Sequence, residues 1–393
     1  MCLIEPMRRT HSTFAVIAGG GTAGHVLPGL AIARALVARG HGAEAIHYVG
    51  SARGIETALV PPAGFALTVL PGRGIQRHLS LTALRANAGA VWGLLRATVQ
   101  GIVLMRRLRP RVVVALGGYA SVPAALGALV WHVPVVVAEQ NAVPGRANRI
   151  VSRWAKASAT SFADTDLPRA TWTGNPVRQA VLEVDRARDH DAARARLGVP
   201  PGRQLLLVFG GSLGARRINT SVFDLAEGAW AQRGDLSVRH VLGVRDHDAY
   251  ATRIGALASS SSATIDADDR LHYVAVRYED DMPTCYAAAD LALCRSGATT
   301  VADLAIVGLP AILVPLPHAP GDHQTANARA LERVDAAVVV PDAELDASRL
   351  AREVDALLAD PSDLLRRSRA AQSIARPDAA ARVAQLAEEH ARA

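Results

Sequence analysis

A chain of 393 residues, half of them hydrophobic and a fifth charged, can bury a large core. That excludes global disorder and suits about two or three domains. The net charge of +7, carried almost wholly by arginine because Lys156 is the single lysine, permits anionic partners. Only 4% of the residues are aromatic and no RNA-binding motif is present, which argues against a nucleic-acid binder. Three cysteines (Cys2, Cys285, Cys294) without a C-x-x-C pair argue against a disulfide framework and for a reducing compartment. Arg8 and Arg9 are followed by no apolar run long enough for a signal peptide.

Short apolar runs alternate with helix-length amphipathic stretches. Strands are expected at Phe14 to Ala18, Ala45 to Val49, Phe65 to Leu70, Val112 to Leu116 and Val135 to Ala138. A second series runs through Leu205 to Phe209, Val238 to Leu242, Tyr273 to Val276, Leu291 to Cys294, Ala311 to Val314 and Ala337 to Val340. Such alternation predicts an α/β fold of parallel sheets covered by helices. The uncharged stretch Val112 to Ala138 is long enough to cross a bilayer, but Gly117-Gly118, Pro123 and Pro134 divide it into a buried βαβ unit.

Two strand–glycine–helix openings divide the chain, Gly19-Gly20-Gly21-Thr22-Ala23-Gly24 and Gly210-Gly211-Ser212-Leu213-Gly214. Each suits its own doubly wound domain. The domains are placed at 1–176 and 177–376, and the helix expected at 377–393 has no strand after it. A glycine turn that opens a helix leaves backbone N–H groups free at the positive end of the helix dipole, where phosphate oxygens bind. The second expected strand ends Val49-Gly50-Ser51, without the acid that a dinucleotide ribose wants, which counts against NAD. A glycine loop in each domain instead suggests two phosphorylated ligands.

His25 follows the first loop at a helix start. The helix N-terminus favours a neutral imidazole, the form that can take a proton, so His25 is the candidate general base. His78, His132, His240 and His272 lack comparable context. No His/Cys cluster has zinc spacing, and no metal or other cofactor is expected. The Asp-x-Asp pairs at Asp164/Asp166, Asp189/Asp191, Asp246/Asp248 and Asp266/Asp268 read as solvated surface.

The ordered motifs resemble those of the MurG family of cell-wall N-acetylglucosaminyltransferases. They are Gly20-Gly21-Thr22-Ala23-Gly24-His25, Pro28-Gly29-Leu30-Ala31, Gly117-Gly118-Tyr119-Ala120-Ser121, Glu139-Gln140-Asn141 and Gly174-Asn175-Pro176-Val177-Arg178. Further on come Gly210 to Ala215, Cys294 to Val301 and His323-Gln324. The resemblance implies a GT-B fold, two Rossmann-like domains facing a cleft. It implies a metal-independent, inverting transfer of N-acetylglucosamine from UDP-GlcNAc to lipid I, giving lipid II, at the cytoplasmic face of the membrane. By motif, Thr22, Ala23, Gly24, Asn141, Arg178, Ser212, Glu279, Ala298, Thr299, Thr300, Val301, Ala302, Asp303 and Gln324 would bind UDP-GlcNAc. Gly20, Gly21, Gly117, Gly118 and Tyr119 would hold the acceptor diphosphate, and the last helix would pack back on the first domain.

Three residues depart from the family pattern. Asp303 stands where a glutamate usually takes the ribose hydroxyls, and Ala138 stands where a histidine is common, which places more weight on His25. The loop Pro317 to Asp322 also differs.

No acid occurs between Glu56 and Glu139, while Arg73, Arg77, Arg85, Arg96, Arg106, Arg107, Arg109 and Arg111 do. Apolar residues are interleaved with them: Ile75, Leu79, Leu81, Leu84, Val91, Trp92, Leu95, Ile102 and Leu104. Basic residues flanking an apolar helix face suit an anionic membrane surface. The resemblance also implies partners among other cell-wall synthesis and division proteins. Competing readings are a GT-B enzyme with another lipid acceptor, a UDP-GlcNAc 2-epimerase, and a non-catalytic nucleotide-sugar-binding scaffold.

Overall fold

The computed structural model describes residues 13–51, 54–71, 81–211, 214–262 and 269–393, with backbone only for 81–92 and 258–262. The chain divides into an N-terminal unit, Met1–Arg178 with Pro377–Ala393, and a C-terminal unit, Gln179–Arg376.

The N-terminal unit carries β1 (Ala15–Gly19), β2 (Ile46–Ser51), β3 (Ala66–Leu70), β4 (Val112–Gly117), β5 (Val135–Glu139), β6 (Ala157–Thr160) and β7 (Ala170–Trp172). All are parallel, in the order β3-β2-β1-β4-β5-β6-β7. Continuous Val/Ile/Ala runs form the centre because both faces are covered. Ile17, Val114 and Leu116 enter the core on one face, and Val16, Val113 and Ala115 enter the core on the other. Helix Ala23–Ala38 packs close to the sheet through Gly29, where a Cβ would lie 2.3 Å from the Tyr48 hydroxyl. Helix Ala379–Glu389 adds Val383, Ala384 and Ala387 to the first face, and Glu388 accepts from Arg39 and His41.

The C-terminal unit carries β8 (Gln204–Phe209), β9 (Leu236–Val241), β10 (His272–Val276), β11 (Leu291–Cys294), β12 (Ala311–Leu313) and β13 (Ala337–Val339). Their order is β10-β9-β8-β11-β12-β13, again all parallel. Strand order reverses beside β1 in one unit and beside β8 in the other. The crevice at the carboxyl ends of such a switch point is where open α/β sheets take ligands.

Two strands have no counterpart in the sequence reading. The run Ala-Ser-Ala-Thr of β6 is buried but has no large apolar residue, and β7 is a three-residue strand at the sheet edge whose Ala170 and Thr171 are exposed. The stretch from Val112 to Ala138 forms β4, helix Ser121–Val130 and β5 rather than a membrane span. Among the described residues no helix is long and apolar enough to cross a membrane.

Candidate functional site

In the N-terminal unit the switch point is built by two glycine turns. β1 pairs with β4 in register until a shift at Ala18/Gly19, which sets Gly19 opposite Gly117. Gly21, Gly117 and Gly118 have φ of +96°, +98° and +77°, a region open to glycine. The turns approach closely: a Cβ on Gly118 would lie 2.7 Å from the Gly20 carbonyl oxygen. Gly20 is buried, whereas Gly21, Thr22, Ala23 and Gly24 are exposed. Thr22 is the N-cap of helix Ala23–Ala38 in extended conformation, without a side-chain cap bond. The first-turn amides of Ala23 and Gly24 have no intrahelical partner and face outward. The Gly21 amide is already engaged, donating to Glu56 Oε1 at 2.8 Å. His25 is half-buried on the first turn, with Nδ1 3.4 Å from Thr22 Oγ1.

At the end of β5, Glu139 is 3% exposed and accepts four bonds. Its Oε1 takes the Asn141 amide at 2.9 Å and the Asn141 side chain at 3.4 Å; its Oε2 takes Asn148 Nδ2 at 2.8 Å and the Gly145 amide at 3.0 Å. Burial pushes the carboxyl up, more than these donors pull it down. Asn141 therefore sits on a turn shaped by Glu139, a residue that the motif reading quoted without a role. The half-buried Tyr119 has a phenol raised by burial, and its hydroxyl has no partner among the described residues. Arg178 closes the unit with Nε buried and likewise unpartnered.

In the C-terminal unit the counterpart turns follow β8 and β11. Ser212 and Leu213 lie outside the described residues, as do Arg73, Ile75, Arg77, Leu79, Asp266 and Asp268. Beyond them, Gly214 (φ +86°) nestles so close that a Cβ would meet the Leu242 carbonyl at 2.3 Å and Asp246 Oδ2 at 2.7 Å. Asp246 corrects the surface reading of its Asp-x-Asp pair. It is 2% exposed and accepts from Asn219 Nδ2 at 3.1 Å and from Arg245 Nε at 2.7 Å.

Gly297 caps helix Ala298–Val307 after β11. Ala298, Val301 and Asp303 are buried, while Thr299, Thr300 and Ala302 are partly exposed. Asp303 Oδ2 accepts the Tyr286 hydroxyl at 3.4 Å. Gln324 is oriented at both ends: its Oε1 accepts the Leu316 amide at 2.9 Å and its carbonyl accepts Ser296 Oγ at 2.8 Å. That leaves the Nε2 amide of Gln324 for a ligand hydroxyl. Glu279 accepts Arg239 at 2.6 and 3.0 Å and the Asp281 amide at 3.0 Å. Burial raises its carboxyl, but these partners outweigh burial and hold it below the usual range. Its side chain is thereby committed to shaping the loop.

A groove of about 970 Å³ lies at the opposite end of this sheet, beside the start of β8, and is lined by Arg186, Arg194 and Leu364. Its arginines are spent on protein partners, Arg186 on the Ala289 and Gly308 carbonyls and Arg194 on Asp290. The strand carboxyl ends, not this groove, carry the exposed amides. Among the described residues no three of His, Cys, Asp and Glu are grouped so as to hold a metal ion.

Two doubly wound parallel sheets in one chain, each with glycine-lined turns at its switch point, define a GT-B glycosyltransferase. Residues 15–160 match the glycosyltransferase family 28 N-terminal domain, and residues 205–383 match its C-terminal domain. The chain belongs to glycosyltransferase family 28. It is 42% identical over 380 residues to a protein of Alkalilimnicola ehrlichii, covering 96% of this chain and 99% of that one. It is 38% identical over 369 residues to a protein of Desulforudis audaxviator, covering 93% and 95%. Both are named UDP-N-acetylglucosamine–N-acetylmuramyl-(pentapeptide) pyrophosphoryl-undecaprenol N-acetylglucosamine transferase. The crystal structure of Acinetobacter baumannii MurG matches with a TM-score of 0.70 at 27% identity, covering 96% of this chain and 99% of that one. The resemblance read from the motifs is thereby borne out.

Proposed function

We propose that the enzyme transfers N-acetylglucosamine from UDP-GlcNAc to the C4 hydroxyl of the muramoyl sugar of lipid I, with inversion, to give lipid II. The observation that carries this reading is whole-length identity of 38% and 42% to transferases of that name. The acceptor oxygen attacks the anomeric carbon, the bond from that carbon to the UDP oxygen breaks, and UDP leaves with the electron pair. His25 takes the hydroxyl proton. The amides of Gly20, Thr22, Ala23 and Gly24, with Gly117, Gly118 and Tyr119, hold the acceptor diphosphate. On the C-terminal unit the donor diphosphate is received by Ser212 and the start of helix Ala298–Val307. Asp303 serves the ribose, the backbone at Glu279 the uracil, and Gln324 the sugar hydroxyls. Helix ends and arginine balance the leaving diphosphate without a metal ion.

The enzyme works at the membrane through one face of the N-terminal unit. Leu95, Val99 and Val103 lie one helical turn apart on Leu81–Leu108 and are 56%, 61% and 60% exposed. Leu129, Val130 and Trp131 are exposed on the adjoining helix end, with the Arg106 guanidinium 5.4 Å from the Trp131 ring centre. Arg96, Arg107 and Arg109 are exposed along the same helix and just beyond its end. Apolar side chains rimmed by arginine suit an anionic leaflet, with about 1 kcal/mol per basic residue near the surface.

The deciding experiment mixes the protein, UDP-GlcNAc and a lipid I analogue in EDTA. A β1→4 disaccharide product and free UDP are expected. Activity lost in EDTA and restored by a divalent ion overturns the metal-free reading, and N-acetylmannosamine in place of the disaccharide points to an epimerase.

A further inference from the structure

Beneath the first glycine turn lies a carboxylate to which the transfer chemistry assigns no task. Glu56 stands five residues past the end of β2 and is fully buried. Its Oε1 gathers the Gly21 amide at 2.8 Å, the Ser51 amide at 2.9 Å and the Ser51 hydroxyl at 3.2 Å. One oxygen thus ties the β1 turn to the end of β2. Bonds from N–H to a charged oxygen are about twice as strong as neutral ones.

The surrounding sequence is cleared for this side chain. A Cβ on Gly20 would lie 1.7 Å from Glu56 Oε1, a Cβ on Gly54 1.6 Å from Oε2, and a Cβ on Gly50 2.9 Å from Cγ. Three glycines from separate turns therefore leave room for a single carboxylate. Turned inward and without exposure, Glu56 cannot read a ribose hydroxyl, although it follows the strand where a dinucleotide-binding fold would carry such an acid.

We infer that Glu56 is a positioning residue for the acceptor. It withdraws the exposed Gly21 amide from the anion site and locks the turn at its positive φ. The amides that follow, at Thr22, Ala23 and Gly24, are then the ones presented to the acceptor diphosphate. Without the tether a glycine turn has many backbone states of similar energy, and the first turn of helix Ala23–Ala38 loses its fixed start. This inference rests on the reading of the turn as the acceptor-side anion site.

Two measurements on the full-length protein test it. Glycine-selective isotope labelling reports exchange of the Gly21 amide with solvent. Steady-state kinetics with UDP-GlcNAc and the lipid I analogue report each KM. In the wild type the Gly21 amide is expected to exchange slowly despite its exposure. Glu56→Ala should release it and raise the acceptor KM roughly tenfold or more, with the donor KM within about twofold. Glu56→Gln keeps shape and an acceptor oxygen, so it should stay folded, retain partial protection and raise the acceptor KM a few-fold. A fall in acceptor KM in Glu56→Gln overturns the inference, because the carboxylate would then merely repel the diphosphate. Fast exchange of wild-type Gly21, an unchanged acceptor KM, or parallel rises in both KM values also overturn it. If the wild type transfers no sugar, the functional reading fails, while the exchange data still judge the tether.

Discussion

Acid should loosen the donor-side turn through a histidine that never meets solvent. His240 on β9 is fully buried, and burial pushes its imidazole down to about 3 from 6.5. Its hydrogen bonds define the tautomer. Asn219 Nδ2 donates to the Leu242 carbonyl and Asp246, so Asn219 Oδ1 faces His240 Nε2 at 3.0 Å and must accept. Nδ1 then accepts the Tyr273 hydroxyl at 2.7 Å. Protonation would put a second donor against that phenol, which burial keeps protonated well above its usual range. Between pH 3 and 6.5 the unfolded chain binds a proton that the folded chain does not, so stability is full above 6.5 and falls on acidification. The loss is about 1.4 kcal/mol per pH unit, hence about 2 kcal/mol at pH 5. The two units need not unfold together, so the assay is hydrogen exchange of helix Arg216–Glu227 with added urea, corrected for intrinsic rates. His240→Gln should cost about 1–3 kcal/mol at pH 7.5 through the altered bonds. That gap should shrink by about 2 kcal/mol at pH 5, since the variant has nothing to titrate there. A gap of equal size at both pH values refutes the reasoning.

Three further outcomes are expected. His25→Ala should lower kcat by about 100- to 10,000-fold with UDP-GlcNAc affinity by calorimetry nearly unchanged; an unaltered kcat removes His25 as the base. Val99→Asp with Val103→Asp should cut co-sedimentation with anionic vesicles at least about tenfold, since each exposed valine gives up roughly 2 kcal/mol of burial; equal binding places the membrane face elsewhere. Asp303→Asn should weaken the donor about tenfold, as a charged acceptor becomes a neutral amide, while the acceptor KM holds; equal donor affinity would show that Asp303 serves only the Tyr286 hydroxyl.

The parts of this molecule legible in the sequence are those with a repeating physical signature. Val112 to Leu116 reads as a strand covered on both faces because every residue is apolar and β-branched or small, and its alternate side chains do enter two cores. The turn Gly19 to Gly24 is legible because positive φ and close backbone approach leave few choices but glycine. Glu56 and Glu139 were not legible as structural carboxylates. Both accept chiefly from backbone amides, and an amide belongs to every residue, so no pairing pattern marks them. His240 lacked context for the same reason: Asn219 and Tyr273 lie 21 and 33 residues away. Asp246 misled because its spacing from Asp248 suggested surface, yet the two neighbours part, one inward to Asn219 and one to solvent.

The two switch points solve one problem by different chemistry. Each must hold a glycine turn open for a diphosphate without occupying it. The N-terminal turn is tied down by the Glu56 carboxylate, whose charge is spread over two amides and a hydroxyl. Gly214 is walled in by the Leu242 carbonyl and Asp246, which Asn219 binds from a neutral His240 behind it. The difference has a consequence for pH. A carboxylate anchored by amides keeps its bonds through mildly acid solution, whereas the histidine anchor weakens as soon as the pH passes below 6.5. Donor binding should therefore fail on acidification before acceptor binding does, and parallel loss of both affinities between pH 7 and 5 would contradict the separate anchoring of the two turns.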